Sequence, residues 1–328
     1  MHQSELVNVC EITIPVYTIL IILCGLGCFG NILAFIGFQR VKTKTATTFL
    51  FQCLAVADTL FLLFFASCMC SDALLQCTKQ SFSQYYRCNK QGYIYLYCDP
   101  FMYMTSVWIT VFLGVIRFVA VCYPLHFNNA FTLAKVKHIC LIAVVIFVIF
   151  ESFWLAVQRV EETKFADSGN ATCIVLGSRN KIARNIYIFG FQTLIHYLIP
   201  LSSLTFITFR IIQAMRIRTT PTRRQTLNRN KQKDMKITKI LVIILMIFLI
   251  CNTSYLVQTA LFLLNVVGDI GDKVLFFASR ALLVINSGIN IIVYTRFNKH
   301  YRKLMLAQLL IRIENTENRV GVIHQPDA

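Results

Sequence analysis

GVIRFVAVCYPLHF, residues 114–127, closes a long apolar run on a single arginine with no acid beside it. A guanidinium in hydrocarbon is costly unless its head reaches water at a membrane face. Upstream, residues 92–122 are long enough to cross a bilayer, which takes roughly 20 residues. Arg117 therefore marks one rim of a span, and charge placement along the chain decides which rim. The whole composition agrees: 56% of the 328 residues are hydrophobic and only 14% are charged, against about 25% charged in an ordinary soluble domain.

Further apolar runs fall near 12–38, 47–71, 135–158, 183–215, 236–264 and 274–295, giving seven spans and an all-α membrane bundle. With residue 1 outside, the segments at 39–46, 126–137 and 210–239, the tail after 295 and Arg117 hold 22 of the 32 Lys and Arg, with only four acids. Lys and Arg concentrate on the cytoplasmic side, so this orientation is the expected one. The net charge of +17 then reflects topology and an anionic inner leaflet, and nucleic-acid binding is not implied. The resulting division is an outer N-terminus (1–11), the bundle (12–295), a membrane-surface helix (296–310) and a cytoplasmic tail (311–328). The start reads as no cleavable signal peptide, since it lacks a basic segment before the first span. Asn170-Ala-Thr172 is a glycosylation sequon on the outer side.

Thirteen cysteines are present. Those within spans (Cys24, Cys28, Cys53, Cys122, Cys140, Cys251) read as small hydrophobes. On the outer side a bridge from Cys173 would take Cys88 or Cys98, and Cys10–Cys77 is a second option, because sequence does not give connectivity. No Cys/His spacing fits zinc.

Polar residues inside spans are functional candidates. Asp99, Tyr103, Ser106, Thr110, Leu113 and Arg117 share one helical face. Asp99 falls near the outer edge and Arg117 near the inner. Span seven aligns Asn286, Asn290 and Tyr294, with Ser287 adjacent; span one offers Asn31 and span two Asp58. One reading is a hydrogen-bond network that glues the bundle. The other is a site for a small hard cation such as Na⁺, held by Asp58, Ser106 and Ser287 with Asn286 and Asn290 nearby. No other cofactor is expected.

Taken in order, Gly30-Asn31, the run Leu54 to Asp58, Arg117 with Pro124 seven residues on, Pro200, Phe248-x-x-Cys251 and Asn290-x-x-x-Tyr294 resemble the rhodopsin-like G-protein-coupled receptors over about residues 12–310. SVWITV, RFVAVCYPL, FLICNTS and INSGINIIVY are most similar to the FMRFamide-type neuropeptide receptors of invertebrates. The resemblance implies an extracellular ligand and a heterotrimeric G protein that meets Arg117, Pro124, Leu125, Thr208 and Tyr294, with arrestin as a further partner. It also implies a bridge from Cys173 to the top of span three. There the usual cysteine position is Gly92, so Cys88 takes that part.

Departures from the family are specific. The acid before the arginine is Ile116, span six carries Asn252 and Ser254 for the usual tryptophan and proline, span seven carries Ile291 for proline, and span five carries Thr208 for tyrosine. Loss of the acid implies raised ligand-free activity, and Thr208 a lowered maximum. The outer third offers Asp99, Tyr103, Gln192, Tyr197, Tyr255, Gln258 and Arg280, with the loop acids Glu161 and Glu162 above. Such a set suits an Arg-Phe-amide peptide, whose guanidinium pairs with carboxylates and whose terminal ring sits among tyrosines. A bare Asp99–Arg280 ion pair is the plain alternative. An aminergic or chemosensory small-molecule receptor is the competing reading. Retinal is not, since its lysine position is Val284. A transporter or channel lacks support from internal repeats, and no catalytic motif marks an enzyme.

Overall fold

The computed structural model describes residues 2–41, 44–77, 92–157, 160–164, 171–175, 186–218, 229–263, 269–297 and 302. Its helices are α1 (His2–Gln39), α2 (Ala46–Cys77), α3 (Gly92–Cys122), α4 (Pro124–Ala130), α5 (Leu133–Val157), α6 (Ile199–Arg218), α7 (Arg229–Leu263), α8 (Asp269–Gly288) and α9 (Asn290–Phe297). Six long apolar helices cross a membrane by length and hydropathy, and α8 with α9 forms the seventh span. The seven-span bundle is as expected. Arg117 lies near the C-terminal end of α3, after which Pro124 opens α4 at its first turn, a position where proline loses no helical hydrogen bond.

Three features depart from the sequence reading. Between α5 and the fifth span lies a hairpin, β1 (Val160–Lys164) antiparallel to β2 (Ala171–Val175), with Glu162 opposite Cys173. The fifth span starts as a π-helix, Ile186–Leu198, before continuing as α6. Pro200 follows at once and has no N–H for the carbonyl of residue 196, so regular α-winding is interrupted there. Third, α8 and α9 meet at a 43° bend, although Ile291 replaces the usual proline. Both ends of the basic segment 210–239 are helical: α6 runs to 218 and α7 begins at 229. Most of the expected surface helix (298–301 and 303–310), the tail, Cys88 and Asn170 lie outside the described residues.

Span three is central, packing against spans two, four, five and six, while span one closes the ring against spans two and seven. Ile14, Ile19, Ile22, Leu26 and Phe29 of α1, and Leu141, Ile142, Val145, Ile146 and Ile149 of α5, point outward. This is the pattern of helices solvated by lipid tails. Spans one and seven meet backbone to backbone, as small residues permit in membranes. A Cβ on Gly27 would lie 3.1 Å from the Gly288 Cα and 2.7 Å from Leu62 Cδ1. Gly25, by contrast, has nothing within 4 Å of an added Cβ. We expect Gly27→Ala to cost about 1–3 kcal/mol through overpacking and to lower the melting temperature of the purified protein. Gly25→Ala should hold or raise it through helix propensity; equal melting of the two variants would contradict the packing.

Candidate functional site: an outer aromatic cluster above a buried polar network

Five members of the face read from span three, Tyr103, Ser106, Thr110, Leu113 and Arg117, are buried. Asp99 lies on the same helix, but its side chain is outside the described set. Tyr103 carries the outer cluster. Its ring lies 5.8 Å from Tyr197 of span five, which stacks at 4.8 Å on Tyr255 of α7. The Arg280 guanidinium of α8 covers Tyr255 at 5.1 Å and Phe276 at 5.2 Å. Ser279 donates to Gln258 Oε1 at 3.1 Å, joining spans six and seven. Tyr103 and Tyr197 are buried whereas Tyr255, Gln258 and Arg280 are half-buried. The cluster thus runs from an enclosed floor to a more accessible rim and draws on four spans. The side chains of Gln192, Glu161, Glu162 and Cys173 are outside the described set.

At the floor, the Tyr103 hydroxyl donates to Asn252 Oδ1. Asn252 in turn donates through Nδ2 to the Phe248 carbonyl at 2.8 Å. Asn252 occupies the place where the resemblance expects tryptophan, so a hydrogen bond stands where a ring would. It works only because span three supplies a matching hydroxyl.

One layer deeper, Asp58 is fully enclosed, 1% exposed. Ser106 Oγ donates to its Oδ1 at 2.6 Å and Asn290 Nδ2 to its Oδ2 at 2.8 Å, and Ser287 is buried as well. Asn31 Nδ2 donates to the Ser287 carbonyl at 2.8 Å, and its Oδ1 meets no hydrogen-bond partner among the described residues. Spans one, two, three and seven are thereby tied at one depth. Asn286, drawn into the same set from sequence, is only half-buried.

At the inner rim Ile116 is fully buried and Arg117 is 7% exposed. Thr208 is buried, and its hydroxyl meets no hydrogen-bond partner among the described residues. Tyr294 lies in an aromatic box, 5.2 Å from both Phe38 and Phe51. Leu125 on α4 is 88% exposed, a large apolar side chain held out from the bundle.

Sequence reading passed over one pair. Glu151 of α5 and His196 of span five are 1% exposed, with Oε1 and Nε2 3.1 Å apart. The two atoms face each other without the alignment of a hydrogen bond. The signal was present: one acid in VIFESFW and one imidazole in TLIHYLIP, each inside an apolar run.

The family model for the seven-transmembrane receptors of the rhodopsin family matches residues 30–294. Among curated proteins, the chain is similar to the FMRFamide receptor of Drosophila melanogaster, at 22% identity over 86% of this chain and 51% of that one. It is also similar to the FMRFamide peptide receptor frpr-18 of Caenorhabditis elegans, at 28% identity over 88% of this chain and 67% of that one. The chain thus spans about half the length of the first relative and about two thirds of the second. With the matched segment running from span one to the tyrosine of span seven, the chain belongs to the rhodopsin family of seven-transmembrane, G-protein-coupled receptors.

Proposed function

We propose that the chain is a plasma-membrane receptor, N-terminus outside, for an extracellular Arg-Phe-amide-type peptide. The observation that carries this is the cluster of Tyr103, Tyr197 and Tyr255 beneath Arg280. It offers aromatic faces for a terminal phenylalanine and graded access from the rim. The names of both relatives point to the same peptide class. The peptide's guanidinium pairs with Asp99, or with Glu161 and Glu162 of the hairpin, as bidentate chemistry favours. Its amide meets Gln258 and Gln192.

Signal leaves at the inner rim. Arg117, Pro124 and the outward-held Leu125 form the landing surface for a heterotrimeric G protein, with Thr208 and Tyr294 behind it and arrestin a second partner. Ile116 gives Arg117 no neighbouring acid, which raises ligand-free activity. The polar network suits an allosteric Na⁺. Asp58, Ser106 and Ser287 supply hard oxygens, the unsatisfied Asn31 Oδ1 lies alongside, and Asn290 and Asn286 border the set.

The test is a dose–response in cells against amidated peptides, their free-acid counterparts, biogenic amines and volatiles. An Arg-Phe-amide should activate, and its free acid should be at least about tenfold weaker, as loss of roughly 1.4 kcal/mol implies. Asp99→Ala should abolish potency at normal surface expression. Response to amines or volatiles alone overturns the reading.

A further inference from the structure

Span seven breaks at Ile289 with no proline to enforce the break. Ile291 stands where proline was expected, so the covalent chain leaves this helix free to run straight. It does not: α8 ends at Gly288, α9 starts at Asn290, and the two meet at 43°. The backbone bonds around the turn run from Ile289 back to Ile285 at 2.9 Å, and from Ile292 and Val293 back to Ile289 at 3.0 and 3.2 Å. Among the described residues, no bond joins the amides of Asn290 and Ile291 to the carbonyls of 286 and 287, as a continuous helix would. In a bilayer core, where water does not replace them, two unmade bonds weigh against the bent form.

What outweighs them comes from neighbouring helices, chiefly span one. Asn31 Nδ2 donates to the Ser287 carbonyl at 2.8 Å, and both residues are buried. That carbonyl is the one a straight helix gives to the amide of residue 291. A side chain of another helix has thus entered the ladder beside a Ser-Gly pair, and each of these is a cause of sharp kinks. One residue earlier on span one, Gly30 leaves the room that Ile291 fills: a Cβ there would lie 2.6 Å from Ile291 Cγ2. Span two adds the Asp58 carboxylate, which accepts from Asn290 Nδ2 at 2.8 Å. One turn beyond Asn290, Tyr294 enters the box between Phe38 and Phe51. The contacts that favour the bend therefore come from spans one and two.

We propose that span seven is a latched hinge, with Ile289 as its pivot and Asn31 and Gly30 of span one as the latch that keeps it bent. Released, the helix straightens, closes its two open backbone bonds and carries Tyr294 out of its aromatic box. Because α9 is 8 residues long, swinging it through 43° moves its far end by about 9 Å. A proline at 291 would make the bend permanent; isoleucine leaves it to the latch. The inference needs the bundle but not the peptide, and its test uses no ligand.

Full-length receptor in lipid nanodiscs carries spin labels on keto-bearing residues incorporated in place of Arg40 and Arg296, both exposed; the 13 cysteines preclude thiol labelling. Pulsed dipolar spectroscopy then reads the distance between the inner ends of spans one and seven. Wild type and Ile291→Pro should share one distance. Asn31→Ala should add a population longer by several ångströms, up to the full swing of α9. Combining Asn31→Ala with Ile291→Pro should remove that population, although the Ser287 carbonyl still lacks its donor. A merely stabilising Asn31 would leave the distance unmoved and show in melting alone. If Asn31→Ala does not purify, Gly30→Ala, which unseats Ile291 and spares the Asn31 bond, decides by the same reading. An unchanged distance in the latch variants, or a longer one that proline does not reverse, would overturn the hinge.

Discussion

An Asp58→Ala receptor is expected to lose most of its surface expression and signalling, the largest single effect in the bundle. Both carboxyl oxygens are in use: Ser106 donates to one and Asn290 to the other, and the group is 1% exposed. Alanine leaves a buried hydroxyl and a buried amide without their acceptor. Each orphan costs about 1–3 kcal/mol, and no water from the bilayer core can replace the lost acceptor. The loss is then about 2–6 kcal/mol, which consumes much of a typical margin of about 5–15 kcal/mol. Asp58→Asn keeps the shape and one acceptor oxygen, so its loss should be smaller. Surface labelling of an N-terminal tag, with melting of purified receptor, ranks the three. A wild-type-like alanine variant would show that the network is not what ties spans two, three and seven.

The spans themselves were legible because lipid imposes one strong constraint. Every backbone group must bond within its own helix, so long apolar runs declare themselves. The inward face of span three was legible too, since Tyr103 to Arg117 repeat at helical spacing and all turn out buried. Partners were harder. Nothing in the order of residues says that Arg280 covers Tyr255, or that Tyr294 lies between Phe38 and Phe51; these contacts depend on rotation of separate helices. Asn252 read as a gap where tryptophan was expected, and became intelligible only once Tyr103 was seen opposite it. Glu151 and His196 each stand alone in an apolar run, and the order of residues does not say that they face each other. The hairpin was missed for a different reason. Its strands are five residues each, and EETK within the first carries no alternation. The bend at Ile289 shows that span seven breaks without proline, beside a glycine packed on Gly27.

The second large effect is expected where Tyr103 meets Asn252. This hydrogen bond is a direct polar link from the floor of the aromatic cluster to span six. Asn252 is 1% exposed, and its amide nitrogen is already committed to the Phe248 carbonyl at 2.8 Å. Tyr103→Phe keeps the ring contacts with Tyr197 and Phe61 but strands the Asn252 oxygen. An orphaned buried acceptor costs about 1–3 kcal/mol, equivalent to roughly five- to 150-fold in an equilibrium. We expect peptide potency to fall within that range at unchanged surface expression. Asn252→Leu strands the Tyr103 hydroxyl instead and should cost a similar factor. Combining them removes both halves of one bond, so the double variant should lose no more than the worse single one, as coupled residues do. Multiplying losses would mean that the two side chains act independently, and the link from ligand floor to span six would have to be sought elsewhere.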